Sequence, residues 1–247
     1  MNYIQPLLLH IFTLNKSWTK KIVVGLDYDD VTDERFKPTV RLIGKDFDGI
    51  IFTLEDWNRL TATFDDIEQY FHGEKNLEDR CYFGESWTLR FTFSHKKRAI
   101  EIAENLKLGD DIKKFRHSIV LHEVSFNILK RDVVKCIDRC LVKLNTVSKA
   151  ASIVSREFIN YIQTEAPMRY QAQIQEYTPE LIKEFTKNVE DSVFNNIEKI
   201  IAKNICKDPL IDTSLDRNDV YLIFFELSSF HPTAICNFLN AKINNKV

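Results

Sequence analysis

Between residues 7 and 53 the apolar positions fall in short runs broken by turn residues. LLLHIFTLN (7–15) and KKIVVGLDYD (20–29) are rich in branched and aromatic side chains. PTVRLIG (38–44) alternates, with Val40 and Leu42 on one face and Thr39 and Arg41 on the other; GIIFT (49–53) is a fourth run. NKS, DDVTDE and GKDFDG separate them. Branched runs bounded by Gly, Asn and Asp predict four strands. The period then lengthens: Leu54, Trp57, Leu60, Phe64, Ile67 and Phe71 recur at spacings of three and four, one stripe of a helix. Thr53 followed by Asp56 has the form of a capping box, with Asp for the usual Glu or Gln. Glu55 and Asp56 suit the positive end of a helix dipole. Gly73 is placed to end the helix.

The plan recurs. SWTLRFTFS (86–94) alternates, with Trp87, Leu89, Phe91 and Phe93 on one face and Thr88, Arg90 and Thr92 on the other. RAIEIAENL (98–106) and SIVLH (118–122) follow, and then a helical stripe runs through Phe126, Leu129, Val133, Ile137, Leu141 and Leu144. Trp57-Asn58-x-Leu60 over Phe126-Asn127-x-Leu129 superposes Ile50-Ile51-Phe52 on Ile119-Val120-Leu121 without a gap. The expectation is an α+β chain of two β-β-β-β-α repeats, residues 1–78 and 79–146, a repeat of pattern more than of identity.

From residue 147 to 247 a helical region is expected. Its segments are VSKAASIVSREFINYIQ (147–163), a helix opened by Thr178 and Pro179 whose stripe continues through Val189 toward Ile205, DRNDVYLIFFELSSF (216–230), and HPTAICNFLNAKI (231–243). The third is apolar nearly all round from Val220 to Phe225, which predicts burial.

Composition narrows the class. The 247 residues are 44% hydrophobic with six glycines and six prolines, enough for a sizeable core and few linkers. No run approaches the roughly 20 apolar residues that span a bilayer, and PLLLHIF lacks a cleavage signature. A soluble protein of the nucleus or cytoplasm, with no membrane partner, is expected. The five cysteines, Cys81, Cys136, Cys140, Cys206 and Cys236, form no C-x-x-C pair and fit free thiols in a reducing compartment.

The net charge of −2 conceals a partition. Residues 1–85 hold 10 basic and 16 acidic side chains, residues 86–149 hold 14 and 7, and residues 150–247 hold 10 and 13. Within the basic segment, Arg131, Lys135, Arg139 and Lys143 recur every four residues, opposite the apolar stripe. Lys96, Lys97 and Arg98 fall at a hairpin turn, Lys113, Lys114 and Arg116 precede the last strand, and Arg90 lies on a polar sheet face. Clustering of this kind makes a phosphate-binding surface. Equally, the acidic first helix, with Glu55, Asp56, Asp65, Asp66 and Glu68, offers intramolecular partners for the same cations.

No phosphate-binding loop, dinucleotide fingerprint, nucleophile elbow or H-E-x-x-H occurs. His117, His122 and Glu123 stand close in sequence, and Asp27, Asp29 and Asp30 alternate in LDYDD. A strand-end histidine and an acidic exit loop account for both. The expectation is a protein that is not an enzyme and holds no cofactor or metal.

KPTVRLIGKDFDGIIFTLEDWNRL resembles the end of the single-stranded-DNA-binding transcriptional coactivator domain of the positive-cofactor type. There a strand leads into a helix start carrying a Leu, a Trp and a second Leu. The corresponding positions here are Leu54, Trp57 and Leu60, with two residues between the first and second. Two such units in one chain resemble PUR-repeat and whirly-type proteins. The resemblance implies a non-catalytic protein whose basic groove tracks a single-stranded DNA or RNA backbone while aromatic rings stack on bases. Its residues would be Arg41, Lys45, Arg90, Lys96, Lys97, Arg98, Lys113, Lys114 and Arg116, with Tyr82 as a stacking ring; Trp57 and Trp87 belong to apolar stripes and to the core. The first repeat is acidic, no basic Ser-rich tail occurs, and the C-terminal 100 or so residues have no counterpart in that family. The alternative is a protein-interaction or assembly module, of viral or mobile-element type, acting through its C-terminal helices. Homodimerisation through sheets or those helices fits either.

Overall fold

The computed structural model describes residues 6–28, 36–45, 49–105, 115–169, 176–187, 193–197, 199–200, 217–230, 232, 235–236 and 240. The chain is α+β, with two four-stranded antiparallel sheets and helices. The first sheet has the order β1 (Leu7–Thr13), β2 (Lys21–Tyr28), β3 (Phe36–Ile43), β4 (Ile50–Phe52), and the second the order β5 (Cys81–Phe83), β6 (Trp87–Ser94), β7 (Lys97–Asn105), β8 (Phe115–His122). The chain divides into two compact units: Leu9–Gly25 with Pro38–Val142, and Met1–Leu8 with Leu26–Lys37 and Lys143–Val247.

In the first of these units β4 pairs antiparallel with β3, Arg41 opposite Ile51, and feeds directly into α1 (Leu54–Ala62). Thr53 is the N-cap: its hydroxyl accepts the Asp56 N–H at 3.1 Å and donates to Asp56 Oδ2 at 3.2 Å. Only the N-cap half of the box is formed: the Asp56 carboxylate takes the Thr53 hydroxyl and not the Thr53 backbone N–H. The apolar stripe predicts one helix through Phe71, but the structure breaks it at Thr63. There the hydroxyl donates to Leu60 O at 2.7 Å, a local bond that competes with helical geometry. α2 (Phe64–His72) follows and stops at Gly73, whose φ of 78° is the left-handed conformation glycine adopts freely.

β6 and β7 form a hairpin with Ser94 opposite Lys97, so only His95 and Lys96 make the turn. Both have positive φ, 54° and 62°, as a turn matched to strand twist requires. Neither is the Asn or Gly that holds this conformation without strain. The three-residue β5 adds an edge that alternation alone is too short to predict. β8 ends at His122, the N-cap of α3 (Glu123–Asn127), which continues through a π turn (Ile128–Val133) into α4 (Val134–Arg169). Thr53 and His122, both extended N-caps, stand 69 residues apart. At that offset Trp57 and Leu60 correspond to Phe126 and Leu129, and all four are buried.

The core of this unit is a chain of aromatic rings. Trp87 lies 6.0 Å from Phe52, Phe52 6.3 Å from Trp57, Trp57 6.5 Å from Phe64, and Phe64 5.3 Å from Phe126, all edge to face. Tyr70 and Phe91 extend it at 4.9 Å. Edge-to-face pairs add ~0.5–1.5 kcal/mol each to the burial of ring area, so the ladder joins β4, β6 and the helices after both sheets into one core. Trp57 and Trp87 are fully buried, and the indole of Trp57 donates to Asp138 on α4 at 3.2 Å.

The other unit is mainly helical. α4 runs past residues 146 and 147 without a break. α5 (Pro179–Thr186) is capped by Thr178, whose hydroxyl accepts the Leu181 N–H at 3.2 Å. On α6 (Arg217–Phe230), Phe224 packs against Phe158 at 4.6 Å and Phe194 at 5.1 Å. Val220, Ile223 and Leu227 are buried with it, but Tyr221, Leu222 and Phe225 are exposed, so one face of this apolar helix is open where the sequence predicts burial all round. Leu8 N–H donates to Glu226 Oε2 at 2.7 Å. The Asn240 amide bonds both backbone groups of Tyr177, at 2.8 and 2.9 Å. No helix among the described residues is long and apolar enough to cross a membrane.

Candidate anion-binding site

Folding brings the basic turn, the end of α2 and the β8–α3 junction together. A cavity of about 630 Å³ there is lined by Phe71, His95, Lys97, Arg98, His122, Glu123 and Val124. Strand pairing sets the geometry: Ser94 opposes Lys97 and His122 opposes Ala99, so the hairpin turn and the end of β8 rise together. The His95 and His122 rings stand 6.4 Å apart. His95 Nδ1 and Ser94 Oγ lie 3.0 Å apart.

Arg98 is fixed by its surroundings. Its guanidinium sits 4.9 Å from the Tyr70 ring centroid, donates to Tyr70 O, and reaches Lys75 O at 3.3 Å. It thereby satisfies carbonyls at the end of α2, where positive charge also suits the dipole. Lys96 and Lys97 are exposed, and their side chains make no hydrogen bond or ion pair among the described residues. Lys97 lines the cavity and Lys96 precedes it in the turn.

His122 is half-buried, and its Nδ1 is a buried atom with no hydrogen-bond partner. Burial, then the positive charge of Lys20, hold its imidazole below the ordinary histidine value; the Arg98 backbone opposes this, and His95 and Lys97 reinforce it. An anion seated beside His122 would offset this repulsion and favour its protonated form. Chemically the site offers two permanent cations and two imidazoles against the single carboxylate of Glu123.

The remaining sequence-selected residues lie elsewhere. Arg41 is buried in β3 opposite Ile51, and Lys45 is exposed just after that strand. Tyr82 donates its hydroxyl to Asp66 and lies 6.1 Å from Phe91. Arg90 donates to Glu101 Oε2 across the sheet at 2.6 Å. Lys113 and Lys114 lie outside the described residues, as does the side chain of Arg116, whose backbone is on β8. Of the helical cations, Lys130 bonds Asp65 at 2.7 Å and Glu68 at 2.8 Å, and Arg131 reaches Glu68 at 3.4 Å. Part of the basic surplus therefore neutralises the acidic α2, and the hairpin turn does not share in that pairing.

Sequence reasoning marks Lys97 and Arg98 but not Phe71, His95 or Val124 as wall residues, and it sets His122 and Glu123 aside as a strand end. The overlooked signal is that His95 adjoins the basic run Lys96-Lys97-Arg98 in a turn too short for anything else. No protein-family model, curated protein or solved structure matches the chain.

Proposed function

We propose that the chain is a non-catalytic single-stranded nucleic-acid-binding protein built from a tandem β-β-β-β-α duplication with a helical C-terminal region, acting through the β6–β7 turn. The observation that carries this reading is the pair of unpartnered lysines, Lys96 and Lys97, beside a cavity walled by further cations and by Phe71. Cations that track a phosphate backbone next to an aromatic ring are the elements of single-strand binding. The helix starts repeated at Thr53 and His122 support the duplication, and with it the resemblance to the coactivator and whirly-type domains. Arg41, Tyr82, Arg90 and Arg98 act on this reading as supports of the surface more than as contacts, since each is buried or engaged within the fold.

Fluorescence anisotropy of an unstructured labelled oligonucleotide tests the proposal. Binding should weaken steeply between roughly 50 and 200 mM salt, and Lys96→Glu/Lys97→Glu should lose it. Arg98 is left intact because its replacement would disturb α2. Full affinity in the double variant would overturn the site, and no binding at low salt would overturn the function. Parallel DNA and RNA strands decide between the two polymers.

A second reading, a protein-interaction module working through its C-terminal helices, is favoured by exposed Tyr221, Leu222 and Phe225 on α6. Light scattering of the eluting full chain separates the two. A stable oligomer without nucleic-acid affinity, dispersed by Leu222→Asp/Phe225→Asp, supports the module.

A further inference from the structure

We infer that the cavity beside the β6–β7 turn receives a terminal phosphomonoester of a nucleic-acid strand, an inference that rests on the nucleic-acid reading above. Size is the first argument. At about 630 Å³ the cavity lies within the range of sites for whole small ligands, roughly 300–1,000 Å³, so it has room for a nucleotide and not merely for an ion. A continuous strand tracks a surface, whereas a chain end can enter a recess.

Charge is the second. Lys97 and Arg98, with His95 and His122, oppose only Glu123 along the lining. An internal phosphodiester carries one negative charge. A terminal phosphate carries about −1.5 to −2, with a second pKa of about 6, in the range where imidazoles titrate. The groups that act on His122 are Lys20 just before β2, His95, Lys97 and Arg98 from the hairpin, and the adjoining Glu123 of α3. A dianion placed among them would draw a proton onto an imidazole and supply the polar partner that the buried Nδ1 of His122 lacks. Phe71 and Val124 add apolar wall for a base or sugar.

The third is strain. Two consecutive residues with side chains, His95 and Lys96, hold positive φ in a turn that Asn-Gly forms with less cost. Backbone strain of this kind persists where it aims side chains at a ligand; here it sets the His95 imidazole in the cavity lining.

The test compares one labelled oligonucleotide sequence bearing either a phosphate or a hydroxyl at an end, binding to the full chain by anisotropy, with free inorganic phosphate as competitor. The phosphorylated strand should bind about tenfold more tightly at about pH 6. That preference should shrink toward higher pH, where the proton His122 must take up on binding is harder to gain. His95→Gln, at an exposed position, should reduce the preference while hydroxyl-ended strand still binds; Lys97→Gln should weaken both strands, the phosphorylated one more; His122→Gln should flatten the pH dependence of the preference. Equal affinity for both ends, with both strands bound, would overturn this site and leave strand binding standing. A preference unchanged in His95→Gln and Lys97→Gln would place the end elsewhere and overturn the assignment. Failure of both strands to bind would overturn the inference together with the reading beneath it.

Discussion

The indole Nε1 of Trp87 donates to Asp56 Oδ1 at 3.0 Å in the buried core. The same carboxylate accepts from Ser86 Oγ and from the Glu85 N–H, each at 3.3 Å, and from the Thr53 hydroxyl. A first-turn residue of α1, after the first sheet, is thereby the anchor of the first long strand of the second. Replacement by Ala would remove the acceptor of the Thr53 hydroxyl and leave a buried indole N–H without a partner. Asp56→Ala should cost about 2–4 kcal/mol, and Asp56→Asn, which keeps an acceptor oxygen, distinctly less. Urea denaturation measures both, and equal losses would show that the acceptor is not what matters.

Gly84 faces the same indole. A Cβ at that position would meet Trp87 Nε1 at 2.1 Å, so Gly84→Ala must push the ring off Asp56. The loss should again be several kcal/mol, as overpacking a tight site gives. Because both changes break one bond, the Asp56→Ala/Gly84→Ala double variant should lose less than the two single losses together. Additive losses would mean that Gly84 acts through something other than the indole.

The Lys130 cluster should give acid stability a recognisable signature. Hydrogen bonds from Lys130 hold Asp65 and Glu68 below their ordinary values. A depressed folded-state pKa contributes stability that is present above the unfolded value and is lost as pH falls through the folded one. The stability gap between the parent and Lys130→Met should therefore be open at neutral pH, close as the medium becomes strongly acidic, and narrow with added salt. Thermal melts over that pH range check it; a gap that widens in acid would contradict the pairing.

The hairpin turn should trade stability against binding. His95→Asn/Lys96→Gly relieves two positive-φ positions, each of which costs a non-glycine residue roughly 1–2 kcal/mol, Asn less than most. The double variant should be more stable by about 1–2 kcal/mol and bind oligonucleotide more weakly. A destabilised variant would indicate that His95 and Lys96 make contacts that outweigh the strain.

Cysteine reactivity should rank by burial. Cys236 is buried, and burial, with Glu180 adding to it, pushes its thiol up to about 11. Cys136 is exposed on α4. A reagent that attacks thiolates should label Cys136 well before Cys236 in the folded protein, and mass spectrometry of timed digests follows the order. Early labelling of Cys236 would mean that its helix opens readily.

Secondary structure was legible where a period was long enough to register. The strand-to-helix switch at Thr53, the Gly73 stop and the Thr178-Pro179 start all rest on local chemistry, and all appear as that chemistry dictates. The break at Thr63 left no trace in the pattern, because Phe64 and Ile67 continue the apolar spacing while the Thr63 hydroxyl and N–H both close on Leu60 O. The three-residue β5 is shorter than any periodicity. One signal was present and unused: Ser-Trp-Thr occurs at 17–19 and again at 86–88, at the same offset as Thr53 and His122. Its two tryptophans have opposite fates, Trp18 65% exposed and Trp87 buried, so their likeness is one of sequence position rather than environment. The cavity was illegible for a different reason. Phe71, His95 and His122 are far apart in the chain; the pairing of β7 with its two neighbours brings the histidines together, and the packing of α2 on β7 adds Phe71.

Adjacent residues Asp56 and Trp57 look in opposite directions along the chain, one accepting from a donor 31 residues later and the other donating to an acceptor 81 residues later. On a ribosome that adds roughly 5–20 residues per second, α1 emerges seconds before the first of these partners exists and longer still before the second. Through that interval a carboxylate and an indole, both meant for the interior, stay in contact with water or with whatever binds nascent chains. Completion of the first sheet's helix therefore waits on synthesis of the second sheet and of the helix beyond it, and a chain truncated before Asp138 would keep the marks of an unfinished product.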